Sequence, residues 1–116
     1  MGVDAPYRTF AVVFPDGRVM RRLPENNSEL CLERTGQEQD RCANRLLTAW
    51  TADIAFVLDP LAKLNISDAS GRFTGRRDMT RVGVFGHSLG GAAAAQFCSE
   101  DSRCKAAIDV DGESTR

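Results

Sequence analysis

A serine flanked by glycines is the residue of this sequence best suited to nucleophilic chemistry. Ser88 is the centre of a G-x-S-x-G segment that begins at Gly86 and ends at Gly90. A serine hydroxyl attacks poorly unless a base takes its proton and backbone donors stabilise the resulting oxyanion. Glycines on both sides remove side chains that would crowd a sharp turn. The spacing predicts a nucleophile on a strand-to-helix turn, with the amide of Leu89 as an oxyanion donor.

The base and the acid that would serve Ser88 are less evident. His87 is the single histidine of the sequence, but a side chain adjacent to the nucleophile at such a turn points away from it. In the chain order serine, acid, histidine, the base belongs after Arg116 and thus outside this chain. Asp111 and Asp109 are the candidate acids, and their spacing of two predicts that both point to one face of a strand. Position near the strand end favours Asp111 and leaves Asp109 as a structural or supporting carboxylate.

The elements around Ser88 form a strand, helix, strand pattern. Arg81 to Phe85 reads as a short buried strand, Leu89 to Ser99 as a helix and Cys104 to Val110 as a second strand. Such a unit makes two parallel strands with a right-handed crossover, and parallel strands need cover on both faces. We therefore expect an α/β protein in which Ser88 and the candidate acids lie at the carboxyl edge of a parallel sheet.

The residues before this unit predict a hairpin and a long helix. Thr9 to Phe14 and Val19 to Leu23 flank a Pro-Asp-Gly turn and are expected to pair, and Pro24 to Gly36 reads as loop. Thr35 and Glu38 then form a capping box. The helix that follows has an apolar stripe at steps of three and four, and Pro60 is expected to kink or end it near Asp59. The members of the stripe are Leu46, Leu47, Trp50, Ile54, Val57, Leu58, Leu61 and Leu64.

The composition excludes several classes of function. Hydrophobic residues make up 42% and charged residues 27%, with a net charge of -1, so nucleic-acid binding is not expected. No apolar run is long enough to cross a membrane, and no export signal is present, which leaves the compartment undecided. The four cysteines lack the spacing of a metal site. They could form two disulfides or remain buried thiols; they are Cys31, Cys42, Cys98 and Cys104.

The last third of the chain resembles a known family. The segment RVGVFGHSLGGAAAAQFCSEDSRCKAAIDVDG, from Arg81 to Gly112, is similar to the platelet-activating-factor acetylhydrolase group and its microbial relatives, and the resemblance extends more loosely to AVVFPDGRV and WTADIAFVLDPLAKLN. In that family the acid follows the strand after the helix that begins at the nucleophile, which matches Asp111, 23 residues after Ser88. The resemblance implies that residues 1–116 are one partial α/β-hydrolase domain, without the early strands and the histidine segment.

The resemblance also implies an activity. The protein would be a serine esterase that needs no cofactor and no metal ion such as calcium. Such an enzyme removes short or oxidised acyl chains from phospholipids or small esters, and polyesters are an alternative substrate of the microbial relatives. A second hypothesis is a non-catalytic remnant, since the chain lacks a suitable histidine. As a fragment around the strand-to-helix turn at Ser88, the chain is also expected to be poorly stable or to self-associate, because open strand edges invite pairing.

Overall fold

Residues 2–111 are described by a computed structural model, which has eight helical and strand elements. In chain order these are β1 (Ala11–Val13), β2 (Val19–Arg21), a 3-10 turn (Pro24–Asn26), α1 (Glu29–Leu32), α2 (Gly36–Ile66), β3 (Val82–His87), α3 (Leu89–Glu100) and β4 (Cys104–Val110). The chain divides into two compact units, Met1–Thr48 and Ala49–Arg116, with the boundary inside α2. Within residues 2–111, no helix combines the length and the apolar character that a membrane crossing requires.

The hairpin of the first unit has the predicted pairing. β1 and β2 are antiparallel, with Ala11 opposite Arg21. Gly17 has a φ of +85°, a value that only glycine adopts at no steric cost, which is why the turn closes here. The Asp16 carboxylate accepts hydrogen bonds from the backbone and side chain of Arg18, and these bonds hold the pKa of Asp16 below its usual value. The residues of the turn itself thus stabilise the hairpin.

The segment between the hairpin and α2 is more ordered than we predicted. Pro24 begins a 3-10 turn and Glu29–Leu32 forms α1, so the prediction of a continuous loop is wrong in part. Proline fits the first position of a helical turn because its fixed φ is already helical. A disulfide joins Cys31 of α1 to Cys42 of α2, and both cysteines are buried. This cross-link ties the two helices within the first unit.

Helix α2 continues through its proline. It runs to Ile66, so of the two expectations at Pro60, a kink or an end near Asp59, the end is wrong. Pro60 removes one backbone donor, but side chains on both sides of it are held by packing: Leu58 is buried and Leu61 packs beside it in the core of the second unit. Tertiary packing commonly outweighs local propensity in this way. The predicted apolar stripe is confirmed, since all of its members are buried or half-buried while Phe56, on the opposite face, is 72% exposed.

The second unit contains the predicted strand, helix, strand arrangement. β3 and β4 are parallel, and Gly86 lies opposite Asp109 in the register. On the inner face of this pair, Phe97 of α3 is buried in a core with Leu58 and Cys104. Around it pack apolar residues of α2, β3 and the loop before β3: Ile54, Ala55, Leu61, Met79, Val82 and Val84. This core positions β3, α3 and β4, the elements that flank Ser88.

The outer face of the strand pair carries exposed apolar side chains. Phe85 is 78% exposed and Ile108 is 62% exposed, and these two residues are register partners. Parallel strands are normally covered on both faces. Self-association of the isolated chain therefore stays a prediction with a physical reason behind it.

A charged cluster links α2 to the turn between α3 and β4. The Arg103 guanidinium donates to Asp59 at 2.8 Å and to Asp101 at 2.6 Å. The hydrogen bonds from Arg103 lower the pKa of Asp101 to about 2, and the two carboxylates raise the pKa of Arg103. Because the folded-state pKa of Asp101 is lowered, the stabilisation from this pair is present at neutral pH and is lost as the pH falls toward 2.

The cysteines give a direct test of this fold. Cys98 at the end of α3 is bonded to Cys104 at the start of β4, so each unit contains one disulfide. We expect no reactive thiol in the denatured, unreduced chain and four after reduction, and we expect reduction to destabilise the fold by about 2–4 kcal/mol. Cys98→Ser should release one thiol. Four reactive thiols without reductant, in protein made under oxidising conditions, would contradict the pairing.

Candidate active site

Ser88 lies at the turn between β3 and α3. β3 ends at His87 and α3 begins at Leu89, so Ser88 is the N-cap of the helix. Its φ is +54° and its ψ is -126°, a conformation that costs energy in any residue with a side chain. This confirms the predicted strained backbone at this position. Ser88 is also exposed, so its hydroxyl is accessible to a substrate.

Two glycines allow the strand and the helix to approach closely at this turn. A Cβ on Gly86 would lie 2.2 Å from the carbonyl oxygen of Gly90 and 2.7 Å from the amide nitrogen of Gly91. A Cβ on Gly91 would lie 2.8 Å from the carbonyl oxygen of Gly86. All three distances are shorter than real Cβ contacts. The need for glycine at 86 is therefore steric, as the motif suggested, whereas at 90 a Cβ would meet only an ordinary contact at 3.9 Å.

Backbone hydrogen bonds fix the position of Ser88. Its amide donates to the carbonyl oxygen of Val110 at 2.9 Å, which joins the turn to the end of β4. Its own carbonyl oxygen accepts from the amides of Gly91 at 2.9 Å and Ala92 at 3.1 Å. The amide of Leu89 precedes these first helical bonds, and the leading amides of a helix have no intrahelical partner. The role of the Leu89 amide as an oxyanion donor stays a prediction.

Asp111 directly follows Val110, whose carbonyl oxygen accepts the hydrogen bond from the Ser88 amide. β4 ends at Val110, and Asp111 comes next with a φ of +55°. Because His87 lies opposite Val110 in a parallel register, the two strands end at the same edge of the sheet. Asp111 is therefore at the carboxyl end of its strand and on the same edge as Ser88, as predicted.

Asp109 occupies a different position from Asp111. It lies inside β4 opposite Gly86, and its Oδ1 fills the space where a Cβ of Gly91 would be, 2.0 Å from that position. The spacing of two would place both carboxylates on one face only if the strand continued through Asp111. The positive φ at Asp111 ends the extended alternation, so this inference from the spacing does not hold.

His87 and Trp50 occupy different positions beside the turn. His87 belongs to the exposed set of alternating positions in β3, which also contains Phe85, whereas the half-buried set faces the core. Trp50 of α2 packs against the turn, since its ring carbon Cζ3 is 3.9 Å from the Cβ position of Gly90. Its apolar spacing alone identified Trp50 as core, and nothing in the sequence indicated that it supports the turn itself.

These elements define a class of protein: a mixed α/β structure in which a serine joins a parallel strand to a helix at the carboxyl edge of the sheet. The model of the family described as platelet-activating factor acetylhydrolase, isoform II, matches residues 24–113. The chain belongs to this family of lipid ester hydrolases, which confirms the family inferred from the sequence. Comparisons with curated proteins and with solved structures gave no match.

Proposed function

We propose that this chain supplies the nucleophile and the acid of a serine hydrolase that acts on carboxylic esters. The observation that carries the proposal is the position of Ser88. It is exposed on a strained turn, and its amide donates a hydrogen bond to the carbonyl of Val110, the residue before Asp111. A reactive serine needs both exposure and a rigid support. Membership of a family of lipid ester hydrolases supports the same chemistry.

Each residue has a role in the proposed reaction. The Oγ of Ser88 attacks the acyl carbon while a histidine outside this chain takes its proton, and Asp111 orients that histidine. The amide of Leu89 stabilises the oxyanion, helped by the positive end of α3. The histidine then protonates the departing alcohol, which leaves an acyl group on Ser88. Water releases that group by the same steps, so the chemistry needs no metal or cofactor.

Short or oxidised acyl chains of phospholipids are the proposed substrates, with small esters or polyesters as the alternative. The family match supports an acyl ester of a lipid. No described residue selects between a phospholipid and another alcohol, so the substrate class depends on the family alone.

A second candidate is a non-catalytic remnant, and one observation favours it for the isolated chain. The single histidine, His87, lies on the exposed set of β3 positions, away from the core face. A serine without a base keeps only the rate provided by binding and by the oxyanion donors. A non-catalytic remnant would retain the strand-to-helix turn at Ser88 but would not turn over esters.

Turnover by two lengths of protein tests the proposal. We expect the reading frame extended past Arg116 to hydrolyse a chromogenic acetyl ester and a phospholipid with a short sn-2 chain, and the 116-residue chain to be slower by about 10³-fold or more because it lacks the base. Initial rates at equal protein concentration give the comparison. Equal rates for the two lengths would refute the external histidine, and no rate for either would favour the remnant.

A further inference from the structure

The side chain of Asp109 contacts the first turn of α3, directly beside the candidate nucleophile. Its Oδ1 lies against Gly91, where a Cβ would be 2.0 Å from Oδ1 and 2.9 Å from Cγ. The register places Asp109 opposite Gly86, whose carbonyl oxygen borders the same space. Asp109 is exposed as a residue, but its carboxylate lies in the space between the strand pair and the start of the helix.

This contact is made at Gly91, one of the residues that hold Ser88 by hydrogen bonds. The amide of Gly91 donates to the carbonyl oxygen of Ser88, and the amide of Ser88 donates to Val110, the neighbour of Asp109 in β4. Movement of Gly91 would thus move the serine.

We propose that Asp109 is a positioning residue for Ser88, which it supports through Gly91, and that it is not the acid of the triad. The consequence for catalysis rests on the function proposed above, whereas the support of the turn does not. The two neighbouring carboxylates, Asp109 and Asp111, would then differ in the property on which their roles depend. Asp111 needs its charge to orient a histidine, and Asp109 needs its shape to fill the space beside Gly91.

Isosteric substitutions separate shape from charge. In the 116-residue chain, Asp109→Ala should accelerate hydrogen exchange at the amides of Gly91 and Ala92 by about 3- to 10-fold, because a local support of the turn is removed. Asp109→Asn keeps the shape and should stay within about 2-fold of the parent chain. Asp111→Ala is the matched control, with no expected change at these amides. If Asp109→Ala fails to fold, Asp109→Ser takes its place in the comparison.

A kinetic arm uses the extended protein. We expect Asp109→Asn to keep kcat within about 3-fold, and Asp111→Asn to lower it by about 10⁴-fold because the charge behind the histidine is lost. Unchanged exchange in Asp109→Ala, or in Asp109→Ser where that variant takes its place, would overturn the proposal, and so would a collapse of kcat in Asp109→Asn. The exchange result does not depend on turnover, so an inactive extended protein would refute the proposed function and leave the support of the turn as measured.

Discussion

Replacing Ser88 by alanine is expected to lower kcat of the extended protein by about 10⁴- to 10⁶-fold, because the members of a catalytic triad act as a unit. The residual rate would come from the oxyanion donors and from substrate binding. Initial rates on a chromogenic short-chain ester measure the effect, with active-site titration to exclude contaminating esterase. The fold should be unaffected, since the Ser88 side chain makes no cap hydrogen bond to α3.

A second serine on the same helix supplies the control for this prediction. Ser99 is exposed near the end of α3, where its hydroxyl donates to the carbonyl of Gln96 at 2.8 Å. Ser99→Ala should change kcat by less than about 2-fold, as surface substitutions generally do. A Ser88→Ala enzyme with the activity of Ser99→Ala would show that the nucleophile is another residue.

Replacing Gly86 by alanine is expected to have the largest effect on stability. The new Cβ would lie between 2.2 Å and 2.7 Å from backbone atoms of Gly90 and Gly91, none of which can rotate away. Relief requires the strand and the helix to separate, at a cost of about 3 kcal/mol or more, near the upper end for overpacked sites. Chemical denaturation followed by circular dichroism measures the free energy of unfolding.

Gly83 is a matched control in the same strand. A Cβ there would meet nothing closer than the carbonyl oxygen of Ala106 at 3.8 Å, which is an ordinary contact. We expect Gly83→Ala to change the free energy of unfolding by less than about 1 kcal/mol and to leave the turn intact. Equal stabilities for the two variants would mean that Gly86 is not held against α3 as described.

The strand, helix, strand unit could be predicted from the sequence because each signal in it is local. β-branched runs, the glycines around Ser88 and the small residues of α3 all favour the same arrangement, and the elements lie within two residues of their expected bounds. The apolar stripe of α2 could also be predicted from the sequence. In each of these segments, periodicity and turn chemistry agree, and such agreement is what makes a fold predictable.

Other features depended on contacts between distant residues. Pro60 favours a helix end locally, yet α2 continues because Leu58 and Leu61 are packed against α3 and β4. The same limit applies at the site. The sequence favoured Asp111 over Asp109 by position but placed both on one face of the strand, and it indicated neither the positive φ at Asp111 nor the approach of α3 to Asp109. Such packing cannot be read from a pattern of residue types.

Covalent labelling of Ser88 tests the central claim most directly. A fluorophosphonate reacts with a serine whose hydroxyl is activated, and peptide mass spectrometry locates the adduct. We predict an adduct at Ser88 in the extended protein, its loss in Ser88→Ala, its retention in Ser99→Ala, and much slower labelling of the 116-residue chain. An adduct at a different serine, or none at Ser88 in an extended protein that hydrolyses esters, would contradict the assignment of Ser88 as the nucleophile.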